Sequence, residues 1–439
     1  MILPTRLWLL GAAGLAVLAP GAILFPELAG ALVAADALWV AALLADGIRA
    51  ARVPFRAFAP SRRPPPAFSV HRPLPVEYRW PNPLERPVRL VVREGLPPPV
   101  AWTEGDERVI TLAPLRETLE EVTVVPVRRG KGGGGPIHVR MRGPWGLVWR
   151  QRVFPAPWPI TVFPRLDKAL PSLTPTARRR REAGLRRLRR PGEGRLFESL
   201  REWVPDDDTR TIDWKATARR GKTIVRQYED ERRQQVMIVL DAGRMLTAET
   251  EGRPRLESAI DAALALAASA VDHDDDVGLM VFTDRVENFL RPTRGRRGLR
   301  AVMDALAGVE GRLTEPDYPG AFAQLAARSR KRAFTVVFTD LIDRTASEAM
   351  VAQIGTLRPR HLPLAVTLRD PALERLATER PADVEGAFRR AAAEELLVAR
   401  AEALGEMRSR GVLVLDVPAA DAAHSVVTQY ERLKRGGRI

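Results

Sequence analysis

The sequence predicts a multidomain chain with two N-terminal transmembrane helices, an antiparallel β-sandwich and an α/β doubly wound domain. Two apolar stretches near membrane-spanning length come first, then short segments that alternate apolar and polar residues, then apolar strands that alternate with amphipathic helices. The predicted boundaries are 1–60 for the membrane hairpin and its basic flank, 64–165 for the sandwich, 166–191 for an arginine-rich linker and 192–439 for the remainder.

The first predicted element is a helical hairpin in the membrane. Leu7 to Phe25 contains no charge, and Leu28 to Ala45 is apolar except for Asp36. Each stretch is close to the roughly 20 residues that cross a bilayer. Arginines are dense after the second stretch and sparse before the first, so the positive-inside rule predicts an inner (plasma) membrane protein with most of its chain in the cytoplasm. A cleaved signal peptide followed by an apolar segment is the alternative.

The next two regions differ sharply in amino-acid composition. Region 64–165 is rich in proline and contains short β-like pieces such as "VRLVVREGL" and "ERVITLAPL", which predict a sandwich of about seven strands. The linker then carries eight arginines between Arg178 and Arg190. These arginines favour contact with acidic lipid, and a solvated linker is the alternative. No aromatic residues interleave them, so nucleic-acid binding is not expected.

Composition limits the chemistry that the chain can perform. The chain has no cysteine, which excludes disulfides, thiol nucleophiles and cysteine metal sites. It has only five histidines, none close to another, so a histidine-rich metal site is not expected. The formal net charge of +15 suits an anionic partner without identifying one.

Acidic residues end two predicted strands of the C-terminal half. "VMIVLD" ends in Asp241 and "AFTVVFTD" ends in Asp340, while Thr314 lies in a loop within "RLTEPDYPG". Ligands of doubly wound sheets bind beyond the carboxyl ends of the strands. We therefore predict a partner-binding site that contains Asp241, Arg244, Thr314 and Asp340.

A dense mixture of charged and aromatic residues precedes these strands. It contains "ATARRGKT", which loosely matches a phosphate-binding loop. That loop requires a buried strand before it and a helix after it, whereas "TIVRQYE" after it has the pattern of a strand. With no other convincing catalytic constellation, we predict that the chain is not an enzyme.

The segment "RLFESLREWVPDDDTRTIDWKATARRGKTIVRQYEDE" closely resembles the signature of the domain-of-unknown-function 58 family. The resemblance implies a bacterial membrane-anchored cytoplasmic protein with a von Willebrand factor A-like domain, commonly encoded beside a MoxR-type AAA+ ATPase and without an established enzymatic activity. The residues that carry the signature are Glu198, Arg201, Trp203, Asp207, Asp208, Arg210, Asp213, Trp214, Arg219 and Arg220.

The resemblance also raises the question of a metal ion. In von Willebrand factor A domains the first loop reads Asp-x-Ser-x-Ser, and both hydroxyls contact the ion. Here Gly243 and Met245 stand at the serine positions, so no bound metal is expected, with Asp241, Thr314 and Asp340 as weak candidates for Mg²⁺ or Mn²⁺. The leading hypothesis is a scaffold that works with the ATPase in assembly or maturation of other proteins, and a metal-dependent adhesion module is the alternative.

Overall fold

The computed structural model divides the chain into two compact units, Met1–Phe163 and Pro164–Ile439. The basic run Arg178–Arg190 lies outside the described residues, as do Asp207, Asp208 and Arg210. The residues that the structure describes are 1–21, 25–63, 68–96, 99–102, 107–164, 196–205, 209, 212–229, 233–341, 344–358 and 360–439.

The first unit begins with a short strand and two apolar helices, β1 (Ile2–Pro4), α1 (Arg6–Leu18) and α2 (Ala29–Arg52). The helices contact each other through two indoles, because Trp39 donates to the carbonyl of Trp8 at 3.1 Å and Trp8 donates to that of Trp39 at 3.4 Å. With 24 residues, α2 is long and apolar enough to cross a membrane by length and composition, whereas α1 is a shorter apolar helix. A membrane anchor and a signal sequence both fit that description.

The rest of the first unit is β-structure. The strands after β1 are β2 (Ser61–Arg63), β3 (Phe68–Ser69), β4 (Leu74–Pro81), β5 (Val88–Glu94), β6 (Val100–Trp102), β7 (Glu107–Leu112), β8 (Glu117–Pro126), β9 (Gly130–Gly134), β10 (Ile137–Arg142), β11 (Val148–Phe154) and β12 (Trp158–Phe163). The sheets have the orders β1-β11-β10-β5-β7, β2-β4-β8-β6 and β3-β12-β9, and the first two are antiparallel throughout.

All three sheets contribute side chains to one apolar core. In β4 every second side chain from Val76 to Trp80 is buried, which is the alternation expected of a strand with one face on a core. Trp80, Leu90 and Val162 come from different sheets and belong to the same apolar cluster. The predicted β-rich region is therefore present, and it also includes β1, which precedes the apolar helices in the chain.

The second unit opens with the signature segment, which forms β13 (Leu196–Glu202), α3 (Trp214–Arg220) and β14 (Ile224–Glu229). The two strands pair antiparallel. Asp213 caps α3 by accepting from the backbone N–H groups of Lys215 and Ala216, at 3.1 and 3.0 Å. Gly221 ends the helix in the left-handed conformation, with φ 68°. "GKT" therefore lies between a helix and a strand, the reverse of the order that a phosphate-binding loop requires.

The main sheet of the second unit contains β15 (Gln235–Asp241), β18 (Asp276–Phe282), β19 (Val286–Arg294), β20 (Ala333–Phe338), β21 (Leu362–Arg369) and β22 (Leu413–Pro418), and β16 (Glu249–Thr250) and β17 (Arg253–Pro254) form a separate pair. The main sheet is mixed, with the order β19-β18-β15-β20-β21-β22 and only β19 antiparallel to its neighbour. The helices are α4 (Arg244–Thr247), α5 (Arg255–Asp272), α6 (Gly295–Ala307), α7 (Tyr318–Arg328), α8 (Arg344–Ile354), α9 (Pro371–Thr378), α10 (Val384–Ser409) and α11 (Ala422–Arg435).

Helices cover both faces of this sheet. Val236, Ile238 and Leu240 of β15 pack in one apolar cluster with α5, α6 and α11. Met237 and Val239 pack in a second cluster with α7, α8 and α10. The strands therefore carry apolar side chains on both faces, as the continuous apolar runs indicate. Because the central strands are parallel, Asp241 and Asp340 lie at the same carboxyl edge.

Candidate functional site

Asp241 is the last residue of β15, and its side chain is fully buried. Its Oδ1 accepts a hydrogen bond from the backbone N–H of Gly243 at 2.8 Å. Its Oδ2 accepts from the hydroxyls of Tyr318 and Thr339, each at 2.9 Å. Burial raises the pKa of Asp241 to about 6, although these three hydrogen bonds favour the charged form. Donors within the protein therefore occupy both oxygens.

Gly243 lies where there is no room for a side chain. A Cβ at this position would stand 2.7 Å from Cγ of Pro316, 2.9 Å from the carbonyl oxygen of Thr314 and 3.0 Å from Oδ1 of Asp241. Met245 is buried as well. A hydroxyl-bearing side chain at Gly243 would therefore displace its neighbours, and the position of the second serine is occupied by the buried side chain of Met245.

The loop 310–316 lies against Gly243 and is held by backbone hydrogen bonds. Arg312 N donates to the carbonyl of Ala242 at 2.8 Å, and Arg244 N donates to the carbonyl of Thr314 at 2.9 Å. Between these two anchors, Leu313 is 85% exposed. The guanidinium of Arg244 pairs with Glu315 beside it, and both side chains are exposed. The edge thus presents an apolar side chain next to an ion pair on a fixed loop.

Asp340 lies buried between two arginines. Arg255 pairs with its Oδ2, and Arg400 donates to its Oδ1 at 2.7 Å. Each arginine also contacts a second carboxylate, because Arg255 reaches Asp370 at 2.8 Å and Arg400 reaches Asp416 at 2.8 Å. We call these five side chains the arginine clamp. It joins the start of α5, the ends of β20 and β21, the helix α10 and the strand β22.

The residues of this edge do not fit Mg²⁺ or Mn²⁺. Hard divalent ions need about six oxygen ligands. Both oxygens of Asp241 accept protein hydrogen bonds, and guanidinium groups beside both oxygens of Asp340 would repel a cation. Thr314 Oγ1 is buried without a hydrogen-bond partner in the described part of the chain, so it offers one free oxygen. Within the same part of the chain, no group of three or more His, Asp or Glu is placed to hold a metal.

The structure brings all four predicted partner-binding residues to one edge. Arg244 is exposed there, but the side chains of Asp241 and Asp340 are buried, so they are placed to support the edge and not to contact a partner directly. The hydroxyls that bind Asp241 and the two arginines of the clamp were not predicted from the sequence. A repeated "VFTD", at 281–284 and 337–340, is the signal that would have pointed to Thr339.

The described residues of the signature segment form local contacts. Lys222 pairs with Glu202 at 2.9 Å, and Thr217 accepts from Ile224 N at 3.0 Å. Trp214 is 70% exposed. Trp203, Arg219 and Arg220 are exposed too, while the side chains of Glu198 and Arg201 lie outside the description.

All strands of the mixed sheet except β22 lie in a region that matches a known family. Residues 199–402 match the model of the family described as "Protein of unknown function DUF58". Uncharacterized protein Rv1480 of Mycobacterium tuberculosis and Uncharacterized protein Mb1516 of Mycobacterium bovis are each 26% identical over 194 residues, covering 41% of this chain and 55% of the relative. The chain thus spans about half the length of the curated relatives it matches.

Solved structures give weaker likenesses. The native conformation of Escherichia coli alpha-2-macroglobulin is 18% identical, with 24% of this chain and 6% of that chain covered and a TM-score of 0.19. The trypsin-activated form is 10% identical, with 85% and 27% covered and a TM-score of 0.18. Scores this low do not indicate a shared fold.

The raised pKa of Asp241 predicts that the free energy of unfolding depends on pH. An unfolded aspartate titrates near 3.9, so between about pH 4 and 6 the folded state binds the extra proton. Stability therefore falls as pH rises through this window, by on the order of 3 kcal/mol when the shift is complete. Asp241→Asn, which keeps the shape, is expected to remove this fall. Urea unfolding of the full chain at pH 4, 5, 6 and 7 measures it.

The control for this experiment is Asp304→Asn, because Asp304 is exposed on α6. It is expected to follow the wild-type pH dependence. Parallel curves for the wild type and Asp241→Asn would contradict the assignment of the cost to Asp241.

Gly243→Ala is expected to lower the free energy of unfolding by about 1–3 kcal/mol, because the added Cβ meets backbone and ring atoms that are themselves held. Gly405→Ala in α10 is the matched control, since its Cβ would meet nothing within 4 Å. Replacing this helical glycine should raise stability by up to about 1 kcal/mol. The midpoints of thermal unfolding of both variants test these expectations. An unchanged midpoint for Gly243→Ala would contradict the prediction, because it would show that the loop 310–316 shifts to make room for the methyl group.

Proposed function

We propose that this chain is a membrane-anchored cytoplasmic interaction protein that presents the carboxyl edge of its mixed sheet to a partner protein. In this proposal α1 and α2 form a two-span hairpin, the β-rich region is a sandwich and the second unit is von Willebrand factor A-like. The exposure of large apolar side chains on both helices, among them Leu10, Val33 and Leu38, supports the anchor. The arginines at the end of α2 support the cytoplasmic orientation.

One observation carries the docking proposal, namely Leu313 on its anchored loop. An exposed leucine normally needs no explanation, but this one stands between two backbone hydrogen bonds and beside the pair formed by Arg244 and Glu315. An apolar anchor with charged groups around it is the arrangement that protein interfaces use. Asp241 and Asp340 fix the loop and strands beneath it.

The proposed partner is a MoxR-type AAA+ ATPase, and the proposed process is assembly or maturation of other proteins. The choice of this partner rests on the resemblance of the signature segment to its family. The match over residues 199–402 supports that resemblance at the level of the family. The occupied carboxylates at the edge favour a non-enzymatic role over hydrolysis by paired acids. Metal-dependent adhesion is the alternative function. It is disfavoured because the carboxylate oxygens of Asp241 and Asp340 already have partners within the protein.

Leu313→Asp tests the docking surface. The variant is expected to bind the purified MoxR-type ATPase of the same organism at least about tenfold more weakly than the wild type, because it buries a charge at the centre of the contact. Binding is measured with the full chain in nanodiscs by surface plasmon resonance. Val398→Asp, at an exposed apolar position on α10, is the matched control and should bind like the wild type. Equal binding by Leu313→Asp, or equal loss in both variants, would remove this edge as the docking surface.

A further inference from the structure

The turn between β10 and β11 is bonded to the end of α2. Asp46, in the last third of α2, is fully buried, and its carboxylate accepts from the backbone N–H groups of Trp145, Leu147 and Val148 at 2.8, 2.9 and 3.0 Å. A Cβ on Gly143 would overlap this carboxylate, at 2.3 Å from Oδ2. The turn is thus built closely around an acidic side chain of the helix.

The same turn is bonded to the start of α1. The hydroxyl of Thr5 donates to the carbonyl of Gly146, and its backbone N–H donates to the carbonyl of Leu147, both at 2.8 Å. Thr5 also caps α1. One turn of the β-region therefore contacts the ends of both apolar helices.

These contacts place the turn at a defined level along the hairpin. Thr5 comes just before the apolar stretch that begins at Leu7, and Asp46 comes directly after the one that ends at Ala45. Thr5 and Asp46 therefore both lie at the boundary between an apolar stretch and polar residues. If the hairpin spans a bilayer, as proposed above, this level is that of the lipid headgroups.

The side chains around the turn are aromatic and basic, as is typical of residues at the level of the lipid headgroups. Trp145 is 47% exposed, and the guanidinium of Arg49 lies over its ring, 4.4 Å from the centroid. Arg142 lies over the ring of Trp149 at 5.0 Å. Arg6 is exposed beside Thr5. Within the described residues, none of these three arginines has a carboxylate partner within 4.0 Å.

We propose that Arg6, Arg49 and Arg142, with Trp145 and Trp149, form an interfacial collar that binds the phosphates of anionic phospholipids in the membrane that anchors the chain. Tryptophan and arginine are the side chains that settle at membrane–water interfaces, and guanidinium groups bind phosphate in two-pronged geometry. The collar is continuous with apolar helices, which favours a lipid headgroup over a soluble anion. The inference rests on the membrane anchor of the proposed function.

The test uses the full chain in nanodiscs with equal amounts of phosphatidylglycerol and phosphatidylcholine. Native mass spectrometry after release into mild detergent counts the lipids that stay bound. The wild type is expected to retain phosphatidylglycerol in preference. The triple variant Arg6→Gln, Arg49→Gln, Arg142→Gln should lower the ratio of phosphatidylglycerol to phosphatidylcholine at least about tenfold, since each basic residue near the surface contributes about fivefold.

The matched control is Arg375→Gln, Arg380→Gln, Arg408→Gln, which removes three exposed arginines from the second unit and should keep the wild-type ratio. Equal ratios for the wild type and the collar variant would overturn the proposal, as would an equal loss in the control. Displacement of the lipid by millimolar inorganic phosphate would also overturn it, by showing a site for free anions.

Alkaline extraction of membranes separates this inference from the anchor on which it rests. Extraction of the wild type would refute the anchor. A wild type that resists extraction but shows no preference for phosphatidylglycerol would leave the anchor in place and refute the collar alone.

Discussion

A buried carboxylate between two arginines determines how the second unit holds together. Asp340 is buried between Arg255 and Arg400, and these arginines in turn hold Asp370 and Asp416. Removing one partner from such a buried pair costs about 3–5 kcal/mol, because a charge is left uncompensated. Five elements that lie far apart in the chain are thereby required to meet at one edge of the sheet.

Groups of the protein cross-link this edge of the sheet. Guanidinium groups do so at Asp340, and hydroxyls do so at Asp241. Tyr318 and Thr339 donate hydrogen bonds to Asp241, and the absence of a side chain on Gly243 lets the neighbouring loop approach closely. The exposed surface around Leu313 lies beside these contacts, and the proposed docking rests on it.

The sequence predicted much of the architecture, because continuous apolar strands and amphipathic helices have strong periods. It also placed Asp241, Arg244, Thr314 and Asp340 at one edge, since parallel strands end together. It did not reveal which groups satisfy the carboxylates. Arg255 is 85 residues from Asp340, and Arg400 is 60 residues from it, so no local pattern relates them. Asp36 stands out within the second apolar stretch, whereas Asp46 does not, because its partners are backbone groups about 100 residues later that leave no trace in composition.

The pairing of β1 with β11 has a consequence for the order of events during synthesis. Ile2 and Pro4 lie opposite Arg150 and Val148, so the strand that precedes the apolar helices waits for a partner made roughly 145 residues later. At ordinary translation speeds of about 5–20 residues per second, the wait is roughly 7–30 s. Both apolar helices, including the contact residues Trp8 and Trp39, are therefore synthesised before the strand that pairs with β1.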